Sequence, residues 1–207
     1  MTNRSVAILM PTYEPDPAHL REALECVMNQ THQDWSLRIR DDASKIDTHG
    51  IVAPYLADPR ITFVRNNARK GIGGNWNACL KNVMVSSDEP FIQFFFQDDA
   101  WSLDYLEKSI AALETSGADM SFAEHAYLLE GEELFRKEAE PFYASLTKAR
   151  QEIPAGKHDA RAFMMLWMQK GLRKNIVGEP CFVMLRKALV DRTGLFSETL
   201  RQVLDAE

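Results

Sequence analysis

The chain has 207 residues, 45% of them apolar and 26% charged, enough to bury one substantial core and consistent with one domain or one with an extension. Its net charge of −6, with both signs interspersed, is the wrong sign for a surface that neutralises nucleic-acid phosphates, so no nucleic-acid partner is expected. Cys26, Cys79 and Cys181 stand far apart with no C-x-x-C pair, which argues against a zinc site or a disulfide framework and for a reducing, cytoplasmic setting.

The first apolar run, Ser5 to Met10, is too short for a signal-peptide core or a membrane span, and no later run reaches spanning length. It reads as a buried strand that empties into the turn Pro11-Thr12-Tyr13-Glu14-Pro15. Asp16 then suits an N-cap and Pro17 a first helical position, and Leu20, Ala23, Leu24, Val27 and Met28 recur at helical spacing. Trp35, Leu37 and Ile39 alternate with polar residues into Asp41-Asp42-Ala43-Ser44, and Ile61 to Arg65 predicts another short strand after a Pro54 to Pro59 connection.

The glycine-rich Lys70 to Gly74 opens a helix carrying Trp76, Leu80, Val83 and Met84. Phe91 to Phe96 is the most apolar predicted strand and ends on Gln97-Asp98-Asp99. Leu103, Leu106, Ile110 and Leu113 predict one more amphipathic helix stopped by Gly117, with a strand near Met120 to Ala123. Beyond about Glu130 the pattern weakens: Gly131 to Ala155 is charged and poorly periodic, a helix is expected near Ala160 to Lys170, and a strand at Cys181 to Leu185. The alternation indicates an α/β fold with a mostly parallel, Rossmann-like sheet flanked by helices.

In such a sheet ligands bind at the carboxyl ends of the strands, where loops converge and helix N-termini aim their N–H groups. Three strand ends here carry polar clusters, Pro11 to Glu14, Asp41-Asp42 and Asp98-Asp99, and the glycine-rich turn lies between the last two. The glycine pattern lacks the dinucleotide fingerprint after the first strand, so no NAD site is expected.

Pro11-Thr12-Tyr13, Asn29-Gln30-Thr31, Asp41-Asp42-Ala43-Ser44, Gly73-Gly74-Asn75-Trp76-Asn77 and Gln97-Asp98-Asp99 together resemble, in order and spacing, the family-2 glycosyltransferases of GT-A fold that build bacterial surface polysaccharides. The agreement spans roughly Ser5 to Leu113, with weaker matches at Gly178-Glu179-Pro180, Gly194-Leu195-Phe196 and Asp205. The resemblance implies residues 1–130 as a nucleotide-sugar-binding core and 131–207 as the acceptor-side part of the same domain. Members of that family continue past the position of Glu207, so the expectation is a chain cut short on its acceptor side.

By the same resemblance, Pro11, Thr12, Tyr13 and Glu14 form a donor-binding loop in which Tyr13 lies against the base. Asp42 accepts a hydrogen bond from the nucleobase, which favours uracil or thymine with their N3–H donor. Asn77 and Asp98 reach the donor, Asp99 ligates Mn²⁺ or Mg²⁺, and Asp205 is the base that deprotonates the acceptor. Physically, breaking the bond between a sugar and a nucleoside diphosphate puts charge on phosphate oxygens, which a hard cation held by one or two carboxylates stabilises. Gln-Asp-Asp stands where Asp-x-Asp is common, which leaves the number of ligands open. Each residue also has a plainer reading. Asp98-Asp99 and Asp41-Asp42 can cap helices, Asn75 and Asn77 can start one, and Trp76, Trp101 and Trp167 are better read as core than as sugar platforms.

The sequence therefore reads as an inverting, metal-dependent transferase of a UDP- or dTDP-sugar to a glycan or lipid-linked acceptor. The setting is the cytoplasm, with peripheral contact at the inner face of the membrane if the acceptor is lipid-linked. The alternative is a domain that binds a nucleotide sugar or glycan without chemistry.

Overall fold

A computed structural model describes residues 3–129, 132–169 and 177–198. In chain order its strands are β1 (Val6–Thr12), β2 (Trp35–Asp41), β3 (Ile61–Arg65), β4 (Phe91–Phe94), β5 (Met120–Phe122) and β6 (Val183–Arg186). The helices are α1 (Pro17–Met28), α2 (Thr48–Val52), α3 (Gly71–Ser86), α4 (Tyr105–Ser116), α5 (Glu133–Gln151), α6 (Ala160–Gln169) and α7 (Lys187–Thr193).

The six strands form one sheet in the order β3-β2-β1-β4-β6-β5. The first four are parallel, whereas β6 runs antiparallel to both β4 and β5. From β1 the chain moves outward to β2 and β3, then returns to place β4 on the other side of β1. The order thus reverses between β1 and β4, and a crevice must open where their following loops part.

Strand β1 is buried on both faces, which is why its sequence is a continuous apolar run rather than an alternation. Val6, Ile8 and Met10 face α1 and α4, packing with Leu20, Leu24, Leu106 and Ile110. Ala7 and Leu9 face α3 and α7, packing with Cys79, Leu80, Val83 and Val190. Each fully buried Leu or Ile of this kind contributes about 1.5–3 kcal/mol through removal from water. Strand β2 alternates instead, burying Trp35, Leu37, Ile39 and Asp41.

Local signals explain most element ends. The Asp16 carboxylate accepts from Ala18 N at 2.7 Å and His19 N at 3.2 Å, satisfying first-turn donors of α1, with Pro17 at the first helical position. Gly117 closes α4 with φ +64°, a conformation a Cβ would resist. Asn29-Gln30-Thr31 is structural: Gln30 Nε2 donates to Ser102 O at 2.9 Å while its Oε1 accepts from Leu106 N at 3.2 Å. That one buried amide ties the end of α1 to the start of α4 and satisfies backbone groups at both. Trp101 is core as expected, stacked on Tyr105 with its indole N–H donating to Cys181 O at 2.8 Å. Trp76 packs among Phe94, Phe96 and Phe196, and Trp167 is buried with Phe163.

The fold departs from the sequence reading in several places: α2 and α7 were not expected, and Cys181 and Phe182 lie in a 3-10 turn, so that the strand expected there begins at Val183. Strand β1 runs on through Pro11 to Thr12, so these two buried residues belong to the sheet and not to the turn. Regular β4 ends at Phe94, although Phe95 N still donates to Leu9 O at 2.9 Å and carries the ladder one step further. The largest difference is α5, a 19-residue helix where no regular element was expected. It buries only Ala149 and Arg150, at its last turn, and keeps Pro141 inside. A helix that gives the core so little leaves little apolar periodicity to read. Its support is electrostatic: Glu133 lies in the first turn and pairs with Lys137 at 2.6 Å, and Lys148 and Arg150 lie in the last.

Candidate functional site

The crevice between β1 and β4 is spanned by one side chain. Gln97, just past β4, accepts from Tyr13 N at 2.9 Å through Oε1 and donates to Tyr13 O at 3.2 Å through Nε2. This amide pairs with the backbone of the residue after β1 as a neighbouring strand would, and it fixes how far the two loops can separate. Sequence reading gave Gln97 no role; its place at a strand end beside Asp98 was the only signal.

The loops after β1 and β2 are tied as firmly. Glu14 N donates to Ser44 Oγ at 2.8 Å, and Glu14 Oε1 accepts from Lys45 N at 2.7 Å. The Glu14 side chain is thus used to hold the β2 loop. Among the described residues, the non-glycine residues with positive φ are Glu14 (44°) and Ala43 (60°), one on each of these loops. Left-handed backbone at such residues is uncommon and persists where surroundings impose it, which at two facing loops points to a demand on loop shape.

The two carboxylates after β2 divide their tasks. Asp41 is fully buried and accepts from Ser44 N at 3.0 Å, from Ser44 Oγ, and from Thr48 Oγ1 at 3.0 Å, with Arg65 Nε at 3.7 Å. It builds the turn. Asp42, also buried, accepts from Asn66 Nδ2 at 2.9 Å, Lys70 N at 2.8 Å and Gly71 N at 2.9 Å. It fixes the segment leading into α3, and neither aspartate caps the helix that follows β2, because Asp47 does so for α2. A carboxylate has about four lone-pair sites, so Asp42 retains acceptor capacity after three bonds. Asn66, which sequence reading missed, also donates to Asn75 Oδ1 at 2.9 Å and accepts from Arg40 Nη1 at 3.0 Å.

The Arg69 guanidinium lies over the Tyr13 ring, 4.0 Å from its centroid, joining the β1 loop to the segment before α3 by a cation–π contact. Beside it, Arg40, Arg65, Asn66, Asn67, Arg69 and Lys70 line an open, basic cavity of about 380 Å³. The half-buried Tyr13 ring and this cavity offer a flat face and cationic donors.

Past β4, Asp98 is exposed and Asp99 half-buried. Burial raises the Asp99 carboxyl above its ordinary pKa and the Asp98 charge adds to this, while a hydrogen bond from the Cys181 thiol acts the other way. Cys181 is itself pushed up by burial and by Asp99. Among the described residues no three His, Cys, Asp or Glu side chains converge on one point, so these residues alone build no closed cation cage. Two adjacent carboxylates at a crevice rim nevertheless fit a hard cation whose other ligands are substrate phosphate oxygens and water.

Two expected site residues have other uses, and a third lies outside the described residues. Asn77 is buried, and its amide donates to Phe196 O at 2.8 Å and Glu198 Oε1 at 3.0 Å and accepts from Phe196 N at 2.9 Å. Both its N–H bonds are consumed in pinning residues 196–198 against α3. Thr12 Oγ1 points to Arg40 O and Asp41 Oδ1, each at 3.5 Å, inside the sheet. Asp205 lies outside the described residues.

Known proteins resemble this chain in sequence and in fold. The chain is 32% identical over 120 residues to the succinoglycan biosynthesis protein ExoW of Rhizobium meliloti, covering 57% of this chain and 37% of that protein. It is 31% identical over 113 residues to an Escherichia coli protein named UDP-Glc:alpha-D-GlcNAc-diphosphoundecaprenol beta-1,3-glucosyltransferase WfgD, covering 55% and 42%. The matches therefore take in less than half the length of these relatives. The fold is that of S. aureus TarS, solved also with UDP and with UDP-GlcNAc, at a TM-score of 0.70 and 18% identity over 97% of this chain and about half of that one. A mannosyltransferase, PcManGT of Pyrobaculum calidifontis, solved with GDP-Man and Mn²⁺, aligns at a TM-score of 0.62 with 16% identity over 97% of this chain and 49% of that one. The model of glycosyl transferase family 2 matches residues 7–192, and the chain belongs to that family.

Proposed function

We propose that this chain is the donor-binding part of a transferase that moves a sugar from a UDP- or dTDP-sugar to the hydroxyl of a glycan or lipid-linked acceptor, with inversion, in surface-polysaccharide synthesis. The observation that carries the reading is the crevice at the β1/β4 switch point. There Tyr13 is held by Gln97, the Asp42 and Asn66 network lies to one side and Asp98-Asp99 to the other. The names of relatives support the chemistry: WfgD is named for UDP-Glc and a diphosphoundecaprenol-linked sugar, and TarS was solved with UDP-GlcNAc.

In this reading the base lies on Tyr13 with Arg69 shifted from the ring or closing over the other face, and the remaining acceptor capacity of Asp42 meets the N3–H of uracil or thymine. Lys70 and Arg69 supply positive charge toward the diphosphate. Asp98 contacts the ribose or sugar. Asp99, with Asp98, would hold Mn²⁺ or Mg²⁺, which supplies charge stabilisation to the departing diphosphate. Asp205 takes the acceptor proton as the hydroxyl oxygen bonds to the anomeric carbon and the bond from that carbon to the diphosphate breaks. Pro11, Thr12, Glu14 and Asn77 hold the loops that carry these groups.

Thermal unfolding with UDP, dTDP, GDP or ADP, each with Mn²⁺ and with chelator, tests the reading through stabilisation by ligand binding to the folded state. A rise in midpoint confined to UDP or dTDP with metal is expected. Equal shifts with all four nucleotides would remove the Asp42 assignment, and no shift with any would remove the donor site.

A further inference from the structure

Strand β4 is buried along its whole length, yet its third residue is a glutamine, Gln93, with no exposed surface. A buried amide is costly unless its hydrogen bonds are made, so its partners show what it holds. Gln93 Nε2 donates to Cys181 O at 2.9 Å and Pro180 O at 3.3 Å, and its Oε1 accepts from Tyr105 Oη at 3.0 Å. The Trp101 indole N–H donates to the same Cys181 carbonyl at 2.8 Å. Two donors thus meet one carbonyl and occupy both of its lone pairs. Trp101 has little room to move, its ring lying 3.9 Å from that of Phe95 and 4.7 Å from that of Tyr105. The peptide at Cys181 is therefore fixed both to β4 and to the segment leading into α4.

That peptide carries a fully buried side chain whose thiol donates to the Asp99 carboxylate. A buried cysteine is ordinarily a small apolar filler, but this one has its backbone held by two polar side chains and its sulfur against a carboxylate. Asp99 needs such a partner. It lies past the end of β4, its own N–H reaches Phe96 O only at 3.4 Å, and a carboxylate turns easily about its last torsion. A divalent cation held by one or two protein carboxylates needs their oxygens at set positions, so a carboxylate free to turn binds it less well. The chemistry of a thiol suits the task. A lysine or arginine in its place would cancel the charge the cation requires, whereas a neutral donor uses one of about four lone-pair sites and leaves the rest.

We infer that Cys181 is a positioning residue, its thiol orienting Asp99 for the divalent cation from a backbone that Gln93 and Trp101 hold still, a role that rests on the reading of Asp99 as a metal-holding carboxylate.

Mn²⁺ binding to the 207-residue chain in the presence of UDP is read from the electron paramagnetic resonance signal of the free ion. Wild type and Cys181→Ser, which keeps an O–H donor, should bind within about twofold of each other, and Cys181→Ala should bind about tenfold more weakly. Both variants remove the same sulfur, so a packing role would weaken both alike, and thermal midpoints without ligand register that loss separately. Trp101→Phe keeps a ring, removes the donor to Cys181 O and should weaken Mn²⁺ binding about threefold. Cys181→Ala that binds like wild type, or Cys181→Ser that binds as weakly as Cys181→Ala, overturns the inference. If Cys181→Ala does not fold, Trp101→Phe at wild-type affinity overturns it. Wild-type chain that takes up no Mn²⁺ with UDP removes the metal reading of Asp99 as well, a failure told apart because no variant then has an affinity to lose.

Discussion

The segment from β1 to β5 and the segment carrying α5 and α6 are built on different terms. In the first, residues such as Ile8, Leu24, Leu37 and Ile110 are wholly buried, and strand after strand meets helices on both sides. In the second, the buried apolar cluster is Ala149, Phe163 and Trp167, and Met164, Met165, Met168, Phe135 and Phe142 stand exposed. The difference teaches where stability and where adaptability reside. The crevice between β1 and β4 is a rim of the well-buried part, tied by Gln97, Glu14, Asp41 and Asp42, whereas the described residues of the α5–α6 segment bury few apolar side chains.

That contrast can be broken by mutation. Asp41→Ala leaves Ser44, Thr48 and Arg65 without their acceptor at the heart of the rigid part and should cost about 3 kcal/mol of stability, seen as a fall in the urea midpoint of the whole transition. Phe163→Ala should cost about 2 kcal/mol at its small, incomplete cluster, less than full burial would imply. Its signature should be selective: faster hydrogen exchange in α5 and α6 with UDP-induced stabilisation retained. If the exchange of β1 rose equally, the two regions would be one cooperative unit and the comparison would fail.

Gln97→Ala should cost about 1 kcal/mol, the net worth of its bonds, and weaken UDP affinity several-fold by calorimetry because the crevice width is no longer set. Retained affinity would make Gln97 a mere loop residue.

A pH test sharpens the picture of the second region. His125 is buried against Phe182, its rings 4.0 Å apart, and burial, with the Arg150 charge, lowers its pKa from 6.5 to about 4. The folded state therefore holds it neutral where the unfolded state is already protonated. Its contribution is fully present above 6.5 and is lost as pH falls from 6.5 toward about 4. Urea midpoints of wild type should fall more across that window than those of His125→Gln, and parallel curves would show that His125 is not the titrating group. The smallest expected stability change belongs to Asp99→Ala at the half-buried crevice rim, where turnover should nonetheless be lost; full activity, or activity indifferent to chelator, would refute its role.

Much of the rigid part was legible in the sequence because a two-sided sheet imposes short periods: the unbroken Val6 to Met10 run, the Trp35, Leu37, Ile39 alternation and the Asp16-Pro17 helix start each follow from local rules. Helix α5 was not legible, since only its last turn is buried and no apolar stripe had to be kept. The site was legible as a set of strand ends, but the division of labour within it was not. Asp41 and Asp42 are identical in type and adjacent, and Asn77 looks like any helix-start asparagine until the segment around Phe196 arrives to use its amide.

The sequence by itself determined the mostly parallel α/β architecture and the strand ends that carry carboxylates, because these depend on local periodicity. Only the tertiary structure decided which side chains serve the loops and which remain open to a ligand. Gln97 finding the Tyr13 backbone, Gln30 joining α1 to α4 and Asp42 holding Lys70 and Gly71 are contacts between residues far apart in the chain. Such contacts exist only once burial has brought those segments together and left each polar group in need of a partner.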